Sequence, residues 1–256
     1  MKLTEIFKIL ESKVAPVSLS DEFCKKYGLY DNSGIIVDCG NDVNGALFSL
    51  DLSINAVKEA KKHGYNLIVT HHPAIYGGIS RICASDAVAQ CVKEGISVIS
   101  MHLNFDAAPE GIDYYLMKGL GGDKAEILAP VTGGGYGRAY AINKTAFSEF
   151  VEKIKCTFSS ERVLTYGEEK VIKKVASFCG AGCDDRAMAF AYAQNVDAVV
   201  SSDLKHHEIA ALLSKGVNVI QLTHYSAENY GFNKIYLKIR EELKVPSAYY
   251  CDGTLL

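Results

Sequence analysis

The chain runs from Leu67-Ile68-Val69-Thr70 straight into His71-His72-Pro73. A short, β-branched apolar run reads as a buried strand, and Pro73 cannot extend a ladder, so the strand stops at the two histidines. The carboxyl end of a strand is where open α/β sheets form their ligand crevices. Neighbouring side chains there diverge, so such a pair serves two adjacent metal ions more naturally than it chelates one. The rest of the chain is read as a scaffold for this corner.

Strand and helix patterns alternate through both halves. In the first, residues 35–37, 46–50, 67–69 and 96–100 read as strands, and 4–13, 53–64 and 85–94 as helices. Pro16 stops the opening helix, and Asn44-Gly45 is a hairpin signal between the strands on either side of it. In the second half, 139–142, 162–166, 171–178, 198–200 and 217–222 read as strands, with a closing helix from Tyr225. This alternation implies an α/β fold of two similar lobes, with mostly parallel sheets flanked by helices. The flexible run Gly133-Gly134-Gly135-Tyr136-Gly137 sets the expected boundary between an N-terminal lobe, 1–127, and a C-terminal lobe, 128–256.

A net charge of -3, with no Lys/Arg cluster interleaved with aromatics, leaves no electrostatic footprint for nucleic acid. No apolar run reaches membrane-spanning length. The first ten residues are broken by Lys2, Glu5 and Lys8, unlike a signal peptide, and the chain is expected in the cytoplasm. Its eight cysteines include no C-x-x-C pair and read as reduced core thiols.

Six of the seven histidines fall at strand ends or in the helix turns just after them: His71, His72, His102, His206, His207 and His224. Structural histidines have no reason to share one edge of a sheet. His63, at a helix C-terminus, suits the dipole there and is given no role. His224 and Glu228 are spaced i, i+4 and face the same way on a helix, about 5–6 Å apart at Cβ. His102 and Asp106 have the same separation across a strand-to-loop transition. Imidazoles with carboxylates suit Zn, Fe, Mn or Ni. Three histidines with Asp106 and Glu228 around two divalent ions leave a net positive site that wants an anion. Water acidified by the metal is the obvious occupant. A purely structural site would be closed by its ligands, and this set leaves positions open.

Asp31-Asn32-Ser33-Gly34-Ile35, Thr70-His71-His72-Pro73, His102-Leu103-Asn104-Phe105-Asp106, Gly137-Arg138, Asp203-Leu204-Lys205-His206-His207 and His224-Tyr225-Ser226-Ala227-Glu228 occur in that order. With these motifs nearly the whole chain resembles the dinuclear metal centre (NIF-three-like) family, often labelled GTP cyclohydrolase I type 2 homologue, in its short form. The resemblance implies a NIF-three-like fold, a homohexameric ring and two divalent transition-metal ions per chain. It matches His71 and Asp106 to one ion, His72 and His224 to the other, and Glu228 to a bridging carboxylate. His102 and His207 match polar residues near the site, suited to proton transfer. This chain departs from the family at Tyr30, where tryptophan is usual, at Ser202-Asp203, and at His206, where tyrosine is common.

The function expected is that of a metal-dependent hydrolase activating water on a small anionic or nucleotide-like substrate. The alternative is a non-enzymatic metal-binding or adaptor protein acting through its ring. A DHH-type phosphoesterase fails on motif, because Thr70 stands where its aspartate would precede the paired histidines. Gly180-Ala181-Gly182 reads first as a plain strand-to-helix turn, with anion binding at the N-terminus of the following helix as the alternative.

Overall fold

The computed structural model describes residues 1–256. In chain order the elements are α1 (Leu3–Lys13), α2 (Val17–Tyr27), β1 (Gly34–Val37), β2 (Ala46–Ser49), α3 (Ile54–His63), β3 (Leu67–Thr70), α4 (Ala87–Glu94), β4 (Ser97–Ser100) and α5 (Leu103–Ala107). They continue with α6 (Ile112–Gly119), β5 (Ala125–Val131), β6 (Gly134–Ala146), α7 (Phe147–Phe158), β7 (Leu164–Tyr166), β8 (Val171–Ser177), α8 (Asp185–Ala193), β9 (Ala198–Ser201), α9 (His206–Ser214), β10 (Asn218–Gln221), α10 (His224–Ile239) and β11 (Ser247–Tyr250). The chain forms two compact units, Met1–Ala108 with Phe232–Cys251, and Pro109–Gly231 with Asp252–Leu256. No helix is long and apolar enough to cross a membrane.

The first unit is built on a five-stranded sheet of order β1-β4-β3-β2-β11. Every pairing is parallel except β1 with β4. Strands β2, β3 and β4 are buried along their whole length, which is why they read as unbroken apolar runs rather than as alternation. Leu47, Ile68 and Val98 pack with Ala56, Val57 and Ala60 of α3 and Cys91 of α4. Phe48 meets Phe232 and Tyr236 of α10, at ring-centroid distances of 6.2 and 5.0 Å. The Ser53 hydroxyl accepts from the Ala56 amide and starts α3 at the expected place.

The second unit has a six-stranded sheet of order β5-β6-β8-β9-β10-β7. Strands β8, β9 and β10 are parallel, and the other pairings are antiparallel. Ala176, Val199 and Val219 pack with Phe178, Met188 of α8 and Leu212 of α9. Both sheets thus have a parallel centre with helical cover, and the α/β class read from the alternation holds.

Four sequence readings need correction. The Asn44-Gly45 hairpin does not form, because β3 and β4 lie between β1 and β2. Asn44 instead exchanges hydrogen bonds with Asn66, and a Cβ on Gly45 would fall 2.1 Å from the Tyr65 ring, so this glycine serves close approach rather than turning. Pro16 does stop α1, but it also stands at the N-cap of α2, a helix the polar spacing of that stretch concealed. The glycine run at 133–137 is the turn and first residues of the β5–β6 hairpin, so the units divide at Ala108/Pro109 and not near 127. Finally, the C-terminal segment returns to the first unit, where β11 pairs in parallel with β2 from Ser247↔Ala46 to Tyr250↔Ser49.

Candidate metal centre

Parallel strands end together, so the first unit presents Asp51 after β2, His71 and His72 after β3, and His102 after β4 on one sheet edge. The amides of His71 and His72 both donate to the Leu50 carbonyl, at 3.1 and 3.0 Å. Thr70 Oγ1 donates to the His72 carbonyl, and the Ala74 amide donates to Ser100 Oγ. The corner is therefore held at the backbone on both sides.

Each histidine has an acceptor at Nδ1. His71 Nδ1 lies 3.0 Å from the Met101 carbonyl, His72 Nδ1 2.6 Å from Asp51 Oδ1, and His102 Nδ1 2.8 Å from Asp31 Oδ1. A carbonyl can only accept, and an ionised carboxylate can only accept, so the proton sits on Nδ1 and the Nε2 lone pair is left outward. This is the arrangement by which proteins orient metal-ligating imidazoles. His71, buried, points Nε2 to within 3.5 Å of Asp106 Oδ1. Two donors on a tetrahedral ion with bonds of about 2.1 Å stand about 3.4 Å apart, so the pair fits one cation. One ligand atom each of His71, His102 and Asp106 lie within 4.8 Å of one another. The ring centroids of His71, His72 and His102 are 4.9 to 5.9 Å apart.

Asp31 is the residue that the sequence reading underrated. Its carboxylate accepts from His102 Nδ1, from Ser20 Oγ and, at 2.6 Å, from Ser33 Oγ. Burial pushes its carboxyl up, but these three hydrogen bonds outweigh that and hold it at about 2. Ser33 Oγ also takes the His102 amide at 2.9 Å, and buried Asn104 donates to the Ala15 carbonyl. The Asp31-Asn32-Ser33 stretch is thus the support for the His102–Asp106 segment.

The second unit repeats the device. His224 opens α10 after β10, and its Nδ1 lies 2.5 Å from Asp203 Oδ2, in the loop after β9. Its Nε2 faces Oε2 of buried Glu228 at 3.1 Å, one helical turn along, as the i, i+4 spacing anticipates. Gly180, at φ +57, comes in beneath them: a Cβ there would lie 2.5 Å from Glu228 Oε1 and 3.1 Å from His224 Nε2. That strand end is fixed by fully buried Asp113, which accepts from Arg138 Nη1, the Gly137 amide at 3.0 Å and the Cys179 amide at 3.3 Å. Burial pushes the Asp113 carboxyl up, against the pull of Arg138 and these amides. Cys179, read from sequence as a core thiol, places its sulfur within 4.8 Å of a Glu228 carboxylate oxygen.

Among the candidate residues, the structure brings His71, His72, His102 and Asp106 together in the first unit, and His224 with Glu228 in the second. His207 lies exposed in the first turn of α9, with no hydrogen bond tying it to that pair. His63 bonds Glu59 within α3, away from any such cluster. None of the eight cysteines is in a disulfide. The supporting aspartates Asp31, Asp51 and Asp203 were not singled out as site residues. Their signal was position, since each lies in a segment bordering a strand of the ligand-bearing edge.

A family model described as Duf34/NIF3 (NGG1p interacting factor 3) matches residues 1–250. A relative from Clostridium perfringens, named GTP cyclohydrolase 1 type 2 homolog, is 29% identical over 253 residues, covering 95% of this chain and 93% of its own. One from Archaeoglobus fulgidus with the same name is 26% identical, over 97% of both chains. The crystal structure of Staphylococcus aureus hypothetical protein SA1388 superposes with a TM-score of 0.85 at 24% identity, covering 99% of this chain and 97% of that one. At that identity the likeness concerns the fold.

Proposed function

The chain belongs to the Duf34/NIF3 family, and on that premise we propose that it is a metal-dependent hydrolase acting on a small anionic or nucleotide-like substrate. The observation that carries the reading is the shared state of His71, His72, His102 and His224: each has Nδ1 on an oxygen acceptor, and Nε2 is thereby left for an electrophile. A surface or core histidine has no need of that uniformity. In this reading His71, His72, Asp106, His224 and Glu228 are the ligands of two divalent transition-metal ions, drawn from Zn, Fe, Mn or Ni.

Such ions supply Lewis acidity and bring the pKa of water to about 7. Two carboxylates do not neutralise two divalent ions, so the set attracts an anionic substrate. Among the protein's own groups, His102 is suited to hold and pass a proton at Nε2, because Asp31 fixes its tautomer and orientation. His207, exposed in the first turn of α9, is the second proton carrier of the proposal. The hexameric ring implied by the family resemblance and the cytoplasmic setting expected from the sequence belong to the same proposal, and sedimentation of the purified protein tests the ring.

The first experiment is the metal content of protein purified without added metal, beside a His72→Ala, His224→Ala double variant. Close to two equivalents of transition metal, lost in the variant, supports the ligand set and warrants a screen of phosphoesters and cyclic amides. Near-zero metal that Zn, Fe, Mn and Ni all fail to restore overturns it. Bound metal with no turnover across that screen turns the reading to the non-enzymatic metal-binding alternative.

A further inference from the structure

Five of the chain's eleven exposed large apolar side chains lie in two loops of the first unit: Leu29, Tyr30, Tyr76, Ile79 and Ile82. Tyr30 and Tyr76 are 58% and 61% exposed, yet neither is a loose tip. Their rings meet edge to face, with centroids 6.3 Å apart at 82°. Tyr76 in turn stands edge-on to His102, at 6.1 Å and 78°. Asn32 Nδ2 donates to the Ile75 carbonyl at 2.6 Å, so the loop carrying Tyr76 is tied to the loop carrying Tyr30. The rings form a row that starts in solvent and ends among the candidate ligands.

Beside Tyr76 opens a cavity of about 500 Å³, lined by Leu52, Ile75, Ile79 and Val88 together with Arg81. In this lining Leu52 follows Asp51 directly, and Ala74 comes two residues after His72. The volume is that of a site for a small molecule. The lining mixes apolar and aromatic side chains with Ser80, Asp86 and Arg81. The Asp86 carboxylate accepts from the Cys83 amide, and the Arg81 guanidinium is the kind of group proteins use for phosphate and carboxylate. An exposed tyrosine face gains most from a flat partner with its own π-system, which stacks without needing hydrogen bonds.

We propose that Tyr30 and Tyr76 form a ring-binding subsite, which receives a fused heteroaromatic ring of a phosphate-bearing ligand and lays it next to His102. This names the substrate class for the function proposed above and rests on that reading for which end of the ligand reacts. Tyr76 is the stacking surface, Tyr30 braces it, and Arg81 draws the anion. A helix or strand is a poorer occupant, because a cavity of about 500 Å³ is sized for a small compound.

Isothermal titration of the full-length protein with AMP, FMN and ribose 5-phosphate tests this, with metal content measured on the same samples. The ring-bearing probes bind about tenfold more tightly than ribose 5-phosphate, the scale of one stacked base. Tyr76→Ala brings the ratio to within about twofold, Tyr30→Ala lowers it, and Tyr76→Phe keeps it, because stacking uses the ring and not the hydroxyl. The inference is overturned if neither AMP nor FMN outbinds ribose 5-phosphate, or if Tyr76→Ala keeps the preference. Metal-loaded protein without ring preference sinks this subsite and spares the metal reading. Metal-free protein whose ring preference is lost in Tyr76→Ala does the reverse.

Discussion

The Asp113–Arg138 pair offers a clean test of what holds the second unit's ligands in place. Both side chains are buried, and the carboxylate takes all of its bonds from Arg138 and two backbone amides. In Asp113→Asn the shape survives, but the charge is lost and an amide NH₂ is turned towards groups that are themselves donors. Arg138 then remains buried without its counter-ion, a situation that costs about 3–5 kcal/mol. With a urea dependence of about 2 kcal/mol/M, the unfolding midpoint falls by about 2 M. The chain has no tryptophan and 15 tyrosines, so far-UV circular dichroism is the better probe. The double variant Asp113→Leu, Arg138→Met removes both charges and recovers part of the loss, the part due to the unpaired guanidinium, while the Gly137 and Cys179 amides stay without their acceptor. A loss below about 1 kcal/mol in Asp113→Asn, or a double variant as unstable as the summed singles, refutes the argument. Either result would mean that water reaches the pair.

Two further outcomes follow from the site geometry. Asp31 sits at about 2 when folded against an ordinary 3.8, so its contribution is present above the ordinary value and lost as pH falls through about 2. Nearly two units amount to about 2 kcal/mol, so Asp31→Asn flattens the acid-unfolding limb between about pH 4 and pH 2; parallel limbs for variant and parent would contradict this. Gly180→Ala puts a methyl group against Glu228 and His224 at positive φ, where the backbone alone costs about 1–2 kcal/mol. Calorimetric titration with Co(II) is expected to weaken at least about tenfold, and an unchanged affinity would show that Glu228 is free to move aside.

The local chemistry of the ligands was legible because it is written in short spacings. His71-His72 at a strand end, His102 with Asp106, and His224 with Glu228 each need only one element boundary to be interpreted. The unbroken apolar runs of β3, β4, β9 and β10 announced buried parallel strands, and the α/β class followed. What escaped was whatever depends on distant pairing. Asn44-Gly45 has the composition of a turn, but its use is set by Tyr65 and Asn66, which only the sheet brings near. Strand β11 is partly exposed and short, so no period marks it. The glycines at 133–137 look like a linker because flexibility and hairpin turns draw on the same residue. Asp31, Asp51 and Asp203 are ordinary acidic residues until a histidine ring arrives at each. Their role lies in the partner, not in the motif.

The placement of β11 bears on how the protein is made. Strand β2 emerges from the ribosome early, yet β11, one of its two parallel partners, is encoded after residues 109–231 of the second unit. Until Ser247–Tyr250 arrives, β2 is an open, apolar sheet edge, the kind that recruits other chains. All six strands of the second unit's sheet lie within residues 109–231, so that sheet can form during synthesis while the first stays incomplete. Long-range closure of this kind slows folding. A fragment ending at Ala108 should therefore aggregate in expression trials, and supplying the segment from Phe232 to Cys251 in trans should relieve it.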